Sequence, residues 1–344
     1  MAYTTVNKSS DYFNNKLYTG NGSTQTISGV GHQPDLVWVK QRNGAAYHQL
    51  TDVLRGVNSQ SASNDTGLGA SNACVTAFNS DGFALGSNGD VNGNTLTYAS
   101  WNWKANGTGS ANTAGSINST VSVNTTSRFS IVKWAGSGSL ATIGHGLGVV
   151  PKMIICKSVD TGGWGIYHEA TGNGRGLFLN IDGVGGTDVA YWNNTSPTSS
   201  VFTVNFDGGT NREGGSDMIA YCFADVQGFS KFGSYIGNGN ADGTFVYTGF
   251  KPALVIFKKT SGTGGWNMFD TKRDPFNVQD QILRANATNA EASDSGYSDN
   301  DFLSNGFKLR QTWGEMNGSG ATYIYMAFAE APLVGTNNVP ANAR

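Results

Sequence analysis

Short apolar runs separated by turn-forming residues recur along the whole chain. Apolar and polar residues alternate in residues 129–134 and 201–206, and this period of two is typical of a strand with one buried face. Three runs that follow a proline, residues 36–39, 153–156 and 254–257, are apolar throughout, which predicts central strands covered on both faces. Short strands with frequent turns favour an all-β, two-sheet antiparallel sandwich.

One order of landmarks occurs three times. Each copy has a strand ending in Gly-x-Gly, then a proline, an apolar run, a lysine and finally an aromatic strand. The proline and lysine pairs are Pro34 and Lys40, Pro151 and Lys157, and Pro252 and Lys258. We therefore predict three homologous antiparallel β-sandwich-like units in tandem, at residues 11–105, 128–226 and 231–331.

The remaining segments have other patterns. Residues 106–127 are rich in Gly, Ser, Thr and Asn, which indicates a linker or an extended excursion. Residues 332–344 are expected to form an irregular C-terminal tail. A helix is predicted only within residues 275–292, where helix-like spacing is shown by Phe276, Gln279, Ile282 and Leu283.

Composition and charge exclude several classes of protein. The chain has 344 residues, of which 48 are Gly and only 13% are charged, and its net charge is −2. Glycine weakens helices, so an all-helical protein is excluded. A nearly neutral chain has no basic surface that would predict binding to nucleic acid or to an anionic membrane. No apolar stretch is long enough to predict membrane insertion.

The first residues and the cysteines indicate where the chain folds. The start has neither the basic nor the apolar region of a secretory signal peptide, so we expect no export by that route. Cys156 and Cys222 lie in apolar runs, and with Cys74 they form an odd, sparse set. We expect Cys156 and Cys222 to be buried apolar residues, with no disulfide and no structural zinc site.

Candidate catalytic groups are few and scattered. The four histidines, His32, His48, His145 and His168, are expected to bond backbone groups in turns. The acids that we considered for a hydrolytic pair are Asp52, Glu169, Asp182, Asp207, Glu213, Asp270, Glu315 and Glu330. Several of them lie in Gly-rich turns, where a carboxylate accepts backbone N–H groups. We expect no catalytic residues, no metal site and no cofactor.

Two aromatic segments differ from the strand-forming ones. Tyr191 and Trp192 precede Asn-Asn-Thr, and Trp313 lies between Thr and Gly. An aromatic ring on a polar loop can stack on a sugar or anchor a protein partner. Tyr191, Trp192 and Trp313 are therefore the candidate ligand-binding residues, and packing in a core is the alternative.

Six segments resemble a family of bacteriophage virion proteins. They are GHGLGVVPKMII (144–155), WNNTSPTSSVF (192–202), FGSYIGNG (232–239), FVYTGFKP (245–252), DFLSNGFKLR (301–310) and ANAR (341–344). That family is common in phages of marine bacteria, including cyanophages, and its members are often labelled tail fibre or virion structural protein. The resemblance covers nearly the whole chain and implies a protein of the phage particle, assembled in the host cytoplasm.

We accordingly expect a non-enzymatic structural protein that belongs to the tail fibre and contacts the host. Its partners would be other virion proteins and a host surface glycan or outer-membrane protein. A homo-trimer is expected because fibres commonly close by threefold symmetry, and a ring of the three units within one chain is the alternative. A capsid decoration protein and a glycan-degrading tailspike are the alternative functions.

Overall fold

Antiparallel strands dominate the structure, a computed structural model that describes residues 3–57, 59–67, 74–293 and 296–334. The helices found there are single turns, α1 (Gly89–Asn92), α2 (Val189–Trp192) and α3 (Gly208–Asn211), and two 3-10 turns, Ser9–Asp11 and Glu169–Thr171. The strands form large and small sheets in which neighbouring strands run antiparallel. The prediction of an all-β fold is confirmed.

The first unit consists of a main sheet and a small sheet. Its strands are β1 (Phe13–Thr19), β2 (Gln25–Ser28), β3 (Leu36–Gln41), β4 (Gln49–Asp52), β5 (Gln60–Ala62), β6 (Val75–Asn79), β7 (Gly82–Leu85) and β8 (Thr97–Trp103). The main sheet has the order β1-β8-β3-β4-β5, and the small sheet has the order β2-β7-β6.

The second unit has the same two kinds of sheet. Its strands are β9 (Ser110–Asn112), β10 (Ser119–Asn124), β11 (Phe129–Ala135), β12 (Ala141–Gly144), β13 (Met153–Ser158), β14 (Trp164–His168), β15 (Gly172–Phe178), β16 (Val201–Val204) and β17 (Asp217–Phe223). The main sheet has the order β15-β14-β13-β17-β11-β10-β9, and the small sheet pairs β12 with β16.

The third unit contains the last strands. They are β18 (Ser230–Ile236), β19 (Phe245–Tyr247), β20 (Phe250–Lys259), β21 (Trp266–Asp270), β22 (Gln281–Arg284), β23 (Ala292–Ser293), β24 (Asn300–Leu303), β25 (Gly306–Leu309) and β26 (Thr322–Pro332). The main sheet has the order β18-β26-β20-β21-β22-β23, and the small sheet has the order β19-β25-β24.

One strand order recurs in the three main sheets. The first strand pairs with the last strand, which pairs with the strand after the proline, and the next two strands of the chain complete the set. In the second unit this core order is β11-β17-β13-β14-β15, to which β10 and β9 are added at the edge. The common order defines equivalent positions in the three units, whereas their descent from one ancestral unit stays a prediction.

Both faces of each main sheet are covered. Leu36 and Trp38 of β3 enter a central core, to which all three main sheets contribute. Val37 and Val39, which alternate with them, enter an outer core between the main sheet and the small sheet of the first unit. The second and third units have outer cores of their own. This two-sided burial explains why the runs after the prolines are apolar at every position.

Three aromatic rings from equivalent positions meet inside the central core. Trp103, Phe223 and Phe328 pair with the first residue of the post-proline run in their own units. Their ring centroids lie 6.5 Å (Trp103 to Phe223), 5.5 Å (Trp103 to Phe328) and 5.8 Å (Phe223 to Phe328) apart. One chain therefore arranges its three units with approximate threefold symmetry around a shared apolar core.

Polar contacts between units follow the same rotation. Asp52, His168 and Asp270 occupy equivalent positions opposite Leu36, Met153 and Leu254, and all three are buried. Each contacts the next unit: Tyr221 Oη donates to Asp52 Oδ2 (2.9 Å), His168 Nε2 lies 3.3 Å from the Tyr325 carbonyl oxygen, and Trp101 Nε1 donates to Asp270 Oδ2 (3.2 Å). The three contacts close a cycle, so the units hold one another.

A buried asparagine fixes the Gly-x-Gly turn of each unit. In the third unit Asn317 Nδ2 donates to the carbonyl oxygen of Asn240 (2.8 Å), and its Oδ1 accepts from the backbone N–H of Asn238 (3.0 Å). Asn92 and Asn211 accept the corresponding N–H groups in the first and second units. All three asparagines are fully buried, so each satisfies a turn that lies next to the core.

Two sequence predictions are corrected by the strands. Residues 106–127 are more than a linker, because β9 pairs with β10, β10 pairs with β11, and Val121 is buried in the outer core of the second unit. The helix predicted within residues 275–292 is instead β22, in which Ile282 faces the outer core and the adjacent Leu283 faces the central core. Most of the predicted tail, residues 335–344, lies outside the described residues.

Candidate functional site

Trp192 lies in a hydrophobic core. It is the last residue of α2, it is 1% exposed, and its ring packs edge to face against Tyr167 at 5.9 Å. Asp188 caps the helix, since its carboxylate accepts the backbone N–H of Ala190 at 2.9 Å. Of the two alternatives for Trp192, ligand binding on a polar loop and packing in a core, the structure shows core packing, because the single helical turn directs the ring inward.

Tyr191 and Trp313 are partly exposed, but each has a protein partner. Tyr191 packs edge to face against Phe178 at 5.4 Å. The guanidinium carbon of Arg284 lies 5.4 Å from the ring centroid of Trp313, which is a cation–π arrangement. The two residues belong to the second and third units, so the structure does not unite the three candidates in one site. Ligand binding by Tyr191 and Trp313 stays a prediction.

The histidines contact backbone groups, as the sequence indicated. His32 Nδ1 lies 2.8 Å from the Ser10 carbonyl oxygen, and His145 Nε2 lies 3.1 Å from that of Thr198. Burial lowers the pKa of all four histidines below the usual value. The neutral form of each imidazole is therefore favoured. His48 Nδ1 accepts from Trp38 Nε1 at 2.9 Å, so its partner there is a side chain.

Asp52 and Asp270 are fully buried, and each forms an ion pair with an arginine in the same way. Asp52 pairs with Arg55, and Asp270 pairs with Arg273, each three residues further along the chain, at 2.5 Å. Each arginine also donates to a backbone carbonyl of its own unit, that of Leu50 or Met268. Each of these buried carboxylates is thus held in an ion pair with arginine inside its own unit.

The lysine that ends each apolar run is buried without a carboxylate partner among the described residues. Lys258 Nζ donates to the carbonyl oxygens of Asp182 (2.9 Å) and Gly264 (2.8 Å). Lys40 and Lys157 donate to the carbonyl oxygens of the residues that follow them. Burial lowers the pKa of each of the three lysines to about 8. These repeated ammonium groups hold the turns after the strands.

An exposed aromatic surface covers the small sheet of the third unit. In β19 Val246 points into the outer core, whereas Phe245 and Tyr247 on either side of it are 43% and 54% exposed. Phe276 is 72% exposed, and Asn277 beside it pairs with the backbone of Phe302 in β24. We call this surface, formed by Phe245, Tyr247, Phe276, Val278, Leu303 and Lys308, the aromatic face.

Strand register places the residues that β19, β25 and β24 contribute in two rows, and Phe276 and Val278 lie outside these strands. Phe245 pairs with Lys308, which pairs with Asp301. Tyr247 pairs with Gly306, which pairs with Leu303. Gly306 lies between Tyr247 and Leu303 and has no side chain, so no atoms project from the sheet at the centre of this row. The aromatic face therefore combines rings with a few charged groups, as binding surfaces for sugars and proteins commonly do.

The other two units lack this surface. The positions of Phe245 and Tyr247 are occupied by Thr26 and Ser28 in the first unit, around the buried Ile27. In the second unit they are occupied by Thr142 and Gly144, around Ile143. The small sheets of the first and second units form with Thr, Ser or Gly at these positions, so pairing of the strands does not require rings there. The aromatic rings are thus an addition to the third unit that the fold does not explain.

Sequence reasoning did not select the aromatic face. The available signal was the alternation Phe245-Val246-Tyr247, where the outer residues of a strand are aromatic and the equivalent strands have Thr, Ser or Gly. Phe276 gave no such signal, because its position depends on the pairing of Asn277 with β24. Comparison of equivalent strands identifies the first two rings and misses the third.

The described residues contain no group of three or more His, Cys, Asp or Glu side chains that could hold a metal ion. The three cysteines are free and buried, which confirms the prediction for Cys156 and Cys222. Among the described helices, none is long and apolar enough to span a membrane.

Fold and surface together define an all-β protein of three two-sheet units around one core, with an exposed aromatic face on the third. A family model described as "Domain of unknown function (DUF7483)" matches residues 8–332. The chain therefore belongs to the DUF7483 family. Comparisons with the curated proteins and with the solved structures found no match.

Proposed function

We propose that this protein is a non-enzymatic structural protein of a bacteriophage particle, part of the tail-fibre apparatus, and that its aromatic face contacts the host surface. The observation that carries the contact is the exposure of Phe245, Tyr247 and Phe276 on one of three equivalent units. The placement on a phage particle is supported by the sequence resemblance to virion proteins. Assembly takes place in the host cytoplasm, with other virion proteins as neighbours.

The architecture is suited to holding the aromatic face on a rigid body. Side chains of all three main sheets pack into one central core, so the small sheets are held on the outside of a single body. Flat rings stack on the apolar faces of sugars, and neighbouring Lys308 and Asp301 can hydrogen-bond to their hydroxyl groups. A host surface glycan is therefore the ligand proposed for the aromatic face, and an outer-membrane protein is the alternative.

The engagement of the acids supports a non-enzymatic role. Asp52 and Asp270 form ion pairs with arginines. Asp207 caps a helix, since its carboxylate accepts the backbone N–H of Gly209 at 2.8 Å. A tailspike that cleaves glycans needs two acids across one groove. Release of oligosaccharide from host polysaccharide by the purified protein would contradict this part of the proposal.

Binding to host cells tests the contact. Fluorescently labelled protein is incubated with host bacteria, and the bound fraction is compared for the wild type and for the triple variant Phe245→Ser, Tyr247→Ser, Phe276→Ser. We expect at least about tenfold weaker binding by the triple variant, because stacking rings supply most of the energy of such contacts. The matched control is Phe206→Ser, which removes a ring that is 58% exposed on the second unit. Equal binding by the triple variant and the wild type would refute the role of the aromatic face.

The position on the particle is tested separately. Immunogold labelling of virions should place the protein at the tail, and mass spectrometry should count from a few to a few dozen copies. Label spread over the capsid, with hundreds of copies, would instead establish a capsid decoration protein.

A further inference from the structure

A second surface feature lies where the first residues of the chain cross the second and third units. Tyr3 stands between two clefts, one of about 450 Å³ that reaches Tyr247 and Lys231, and one of about 310 Å³ beside Val226. Both clefts are also lined by Arg128 and Gln227. Their volumes are of the order expected for small-molecule sites, roughly 300–1,000 Å³. We call the pair the Arg128 cleft.

Arg128 departs from the pattern of its equivalent positions. Its carbonyl oxygen accepts the N–H of Ala224, and the carbonyl oxygens of Tyr12 and Phe229 accept in the same way in the other units. Tyr12 and Phe229 place their rings on or in the central core. At this position the second unit instead has an arginine that is half-buried and lines the cleft.

The backbone at Arg128 is in the left-handed region, with φ +51°. That conformation favours Gly or Asn and costs a residue such as Arg roughly 1 kcal/mol. An arginine at this position therefore carries a cost in stability, and residues in such strained backbone conformations are common at binding sites. Its Nη1 donates to the carbonyl oxygen of Asp225 at 2.7 Å. Among the described residues no other acceptor contacts this guanidinium.

The remaining groups of the cleft are polar and aromatic. Tyr3 Oη donates to the Gly249 carbonyl oxygen at 2.7 Å and lies 3.4 Å from Tyr247 Oη. Burial, together with the Tyr247 hydroxyl, raises the pKa of Tyr3 to about 12, so it stays a neutral donor. Asp225 also lines the cleft, where its carboxylate pairs with Lys231 at 3.1 Å, and the described residues give Arg128 no ion pair of its own.

We propose that the Arg128 cleft binds a carboxylate-bearing sugar, with the carboxylate on the Arg128 guanidinium and the sugar ring against Tyr3 and Tyr247. A guanidinium presents a planar pair of N–H donors that matches a carboxylate. Aromatic rings stack on sugar C–H faces, and the hydroxyl of Tyr247 and the amide of Gln227 supply hydrogen bonds. Tyr247 lines this cleft and also belongs to the aromatic face, whereas Arg128 lines the cleft and is not part of that face. Arg128→Gly therefore tests the cleft without changing the aromatic face, and neither test requires attachment to a phage particle.

Titration of the full chain tests the site. Sodium D-glucuronate, D-glucose and inorganic phosphate are titrated separately and followed by isothermal titration calorimetry. We expect D-glucuronate to bind at least about tenfold more tightly than the other two, because glucose lacks the charge and phosphate lacks the ring, and a tenfold difference is the effect of one modest charge-assisted hydrogen bond. Equal binding of phosphate and D-glucuronate, or no detectable binding of D-glucuronate, would overturn the proposal.

Two variants separate binding from folding. Arg128→Gly removes the guanidinium and suits the left-handed backbone, so it should melt no lower than the wild type while binding of D-glucuronate falls at least tenfold. The matched control is Lys133→Gln, which removes one positive charge near the other end of β11, where Lys133 pairs with Asp217 at 2.8 Å. Unchanged binding by Arg128→Gly, or an equal loss in Lys133→Gln, would overturn the proposal.

Discussion

Acidification should destabilise the central core through His168. Its Nδ1 accepts the backbone N–H of Ala170 at 3.2 Å, and its Nε2 faces the Tyr325 carbonyl oxygen at 3.3 Å. This pair of contacts fits the neutral imidazole with the proton on Nε2. A second proton on Nδ1 would point at the Ala170 N–H group, and the attraction of the neighbouring Glu169 carboxylate only partly offsets the cost of burying the charge.

The pKa of His168 gives the size of the effect. Burial lowers it from 6.5 to about 4, and the hydrogen bond to Tyr325 only partly opposes this. Above pH 6.5 the imidazole is neutral in the folded and unfolded chains and contributes nothing. Between pH 6.5 and about 4 the unfolded chain binds a proton that the folded chain does not. The free energy of unfolding therefore decreases as the pH is lowered through this range. The full loss is about 3 kcal/mol, since a tenfold change in proton affinity is worth about 1.4 kcal/mol.

Urea unfolding at pH 7.5 and pH 4 measures this loss. The variant His168→Gln keeps an amide near both backbone partners but does not titrate. It should therefore lose about 3 kcal/mol less than the wild type between the two pH values. The control Ile166→Val removes a methylene from the same strand and should cost about 1 kcal/mol at both pH values. A wild type and a His168→Gln variant that lose equal stability would refute the reasoning.

Three further predictions concern the turns, the central core and the assembly. Asn317→Ala removes a fully buried amide that holds the Gly-x-Gly turn and should lower the free energy of unfolding by about 3 kcal/mol in urea titrations; a loss below about 1 kcal/mol would contradict the role of Asn317 in holding the turn. Phe223→Ala opens a cavity between Trp103 and Phe328 and should cost about 3–5 kcal/mol, whereas Phe206→Ala at an exposed site should cost almost nothing. Light scattering tests the homo-trimer: we expect three times the 36.2 kDa of one chain, and a mass of 36.2 kDa would leave the three units of one chain as the source of threefold symmetry.

Local patterns predicted the strands that have strong turn signals and two-sided burial. The runs after Pro34, Pro151 and Pro252 are apolar because neighbouring residues face different cores. The same reasoning failed at Ile282 and Leu283, whose spacing with Phe276 resembled a helix. Pairing of β22 with β21 decides that segment, and such pairing over distance is not visible in a local window.

The shared core and the site depend on contacts between distant parts of the chain. Trp103 and Phe223 are 120 residues apart in the sequence, and only the arrangement of the units brings them together. Residues 106–127 have the composition of a linker, yet β10 finds a partner in β11 and buries Val121. At Trp192 the polar neighbours in the sequence suggested an exposed ring, but the helical turn that ends at Trp192 directs the ring into the core.

Departures from threefold similarity locate the residues that the fold itself does not need. Where packing governs a position, the three units agree, as at the buried asparagines of the turns and the lysines that end the apolar runs. Phe245 and Tyr247 replace Thr, Ser or Gly, and Arg128 replaces an aromatic ring that packs on the core. Neither change improves the packing of its unit, and the second places an arginine in a left-handed backbone conformation. Exposed aromatic patches and strained backbone positions both occur often at binding sites, so these two places are where binding should be sought first.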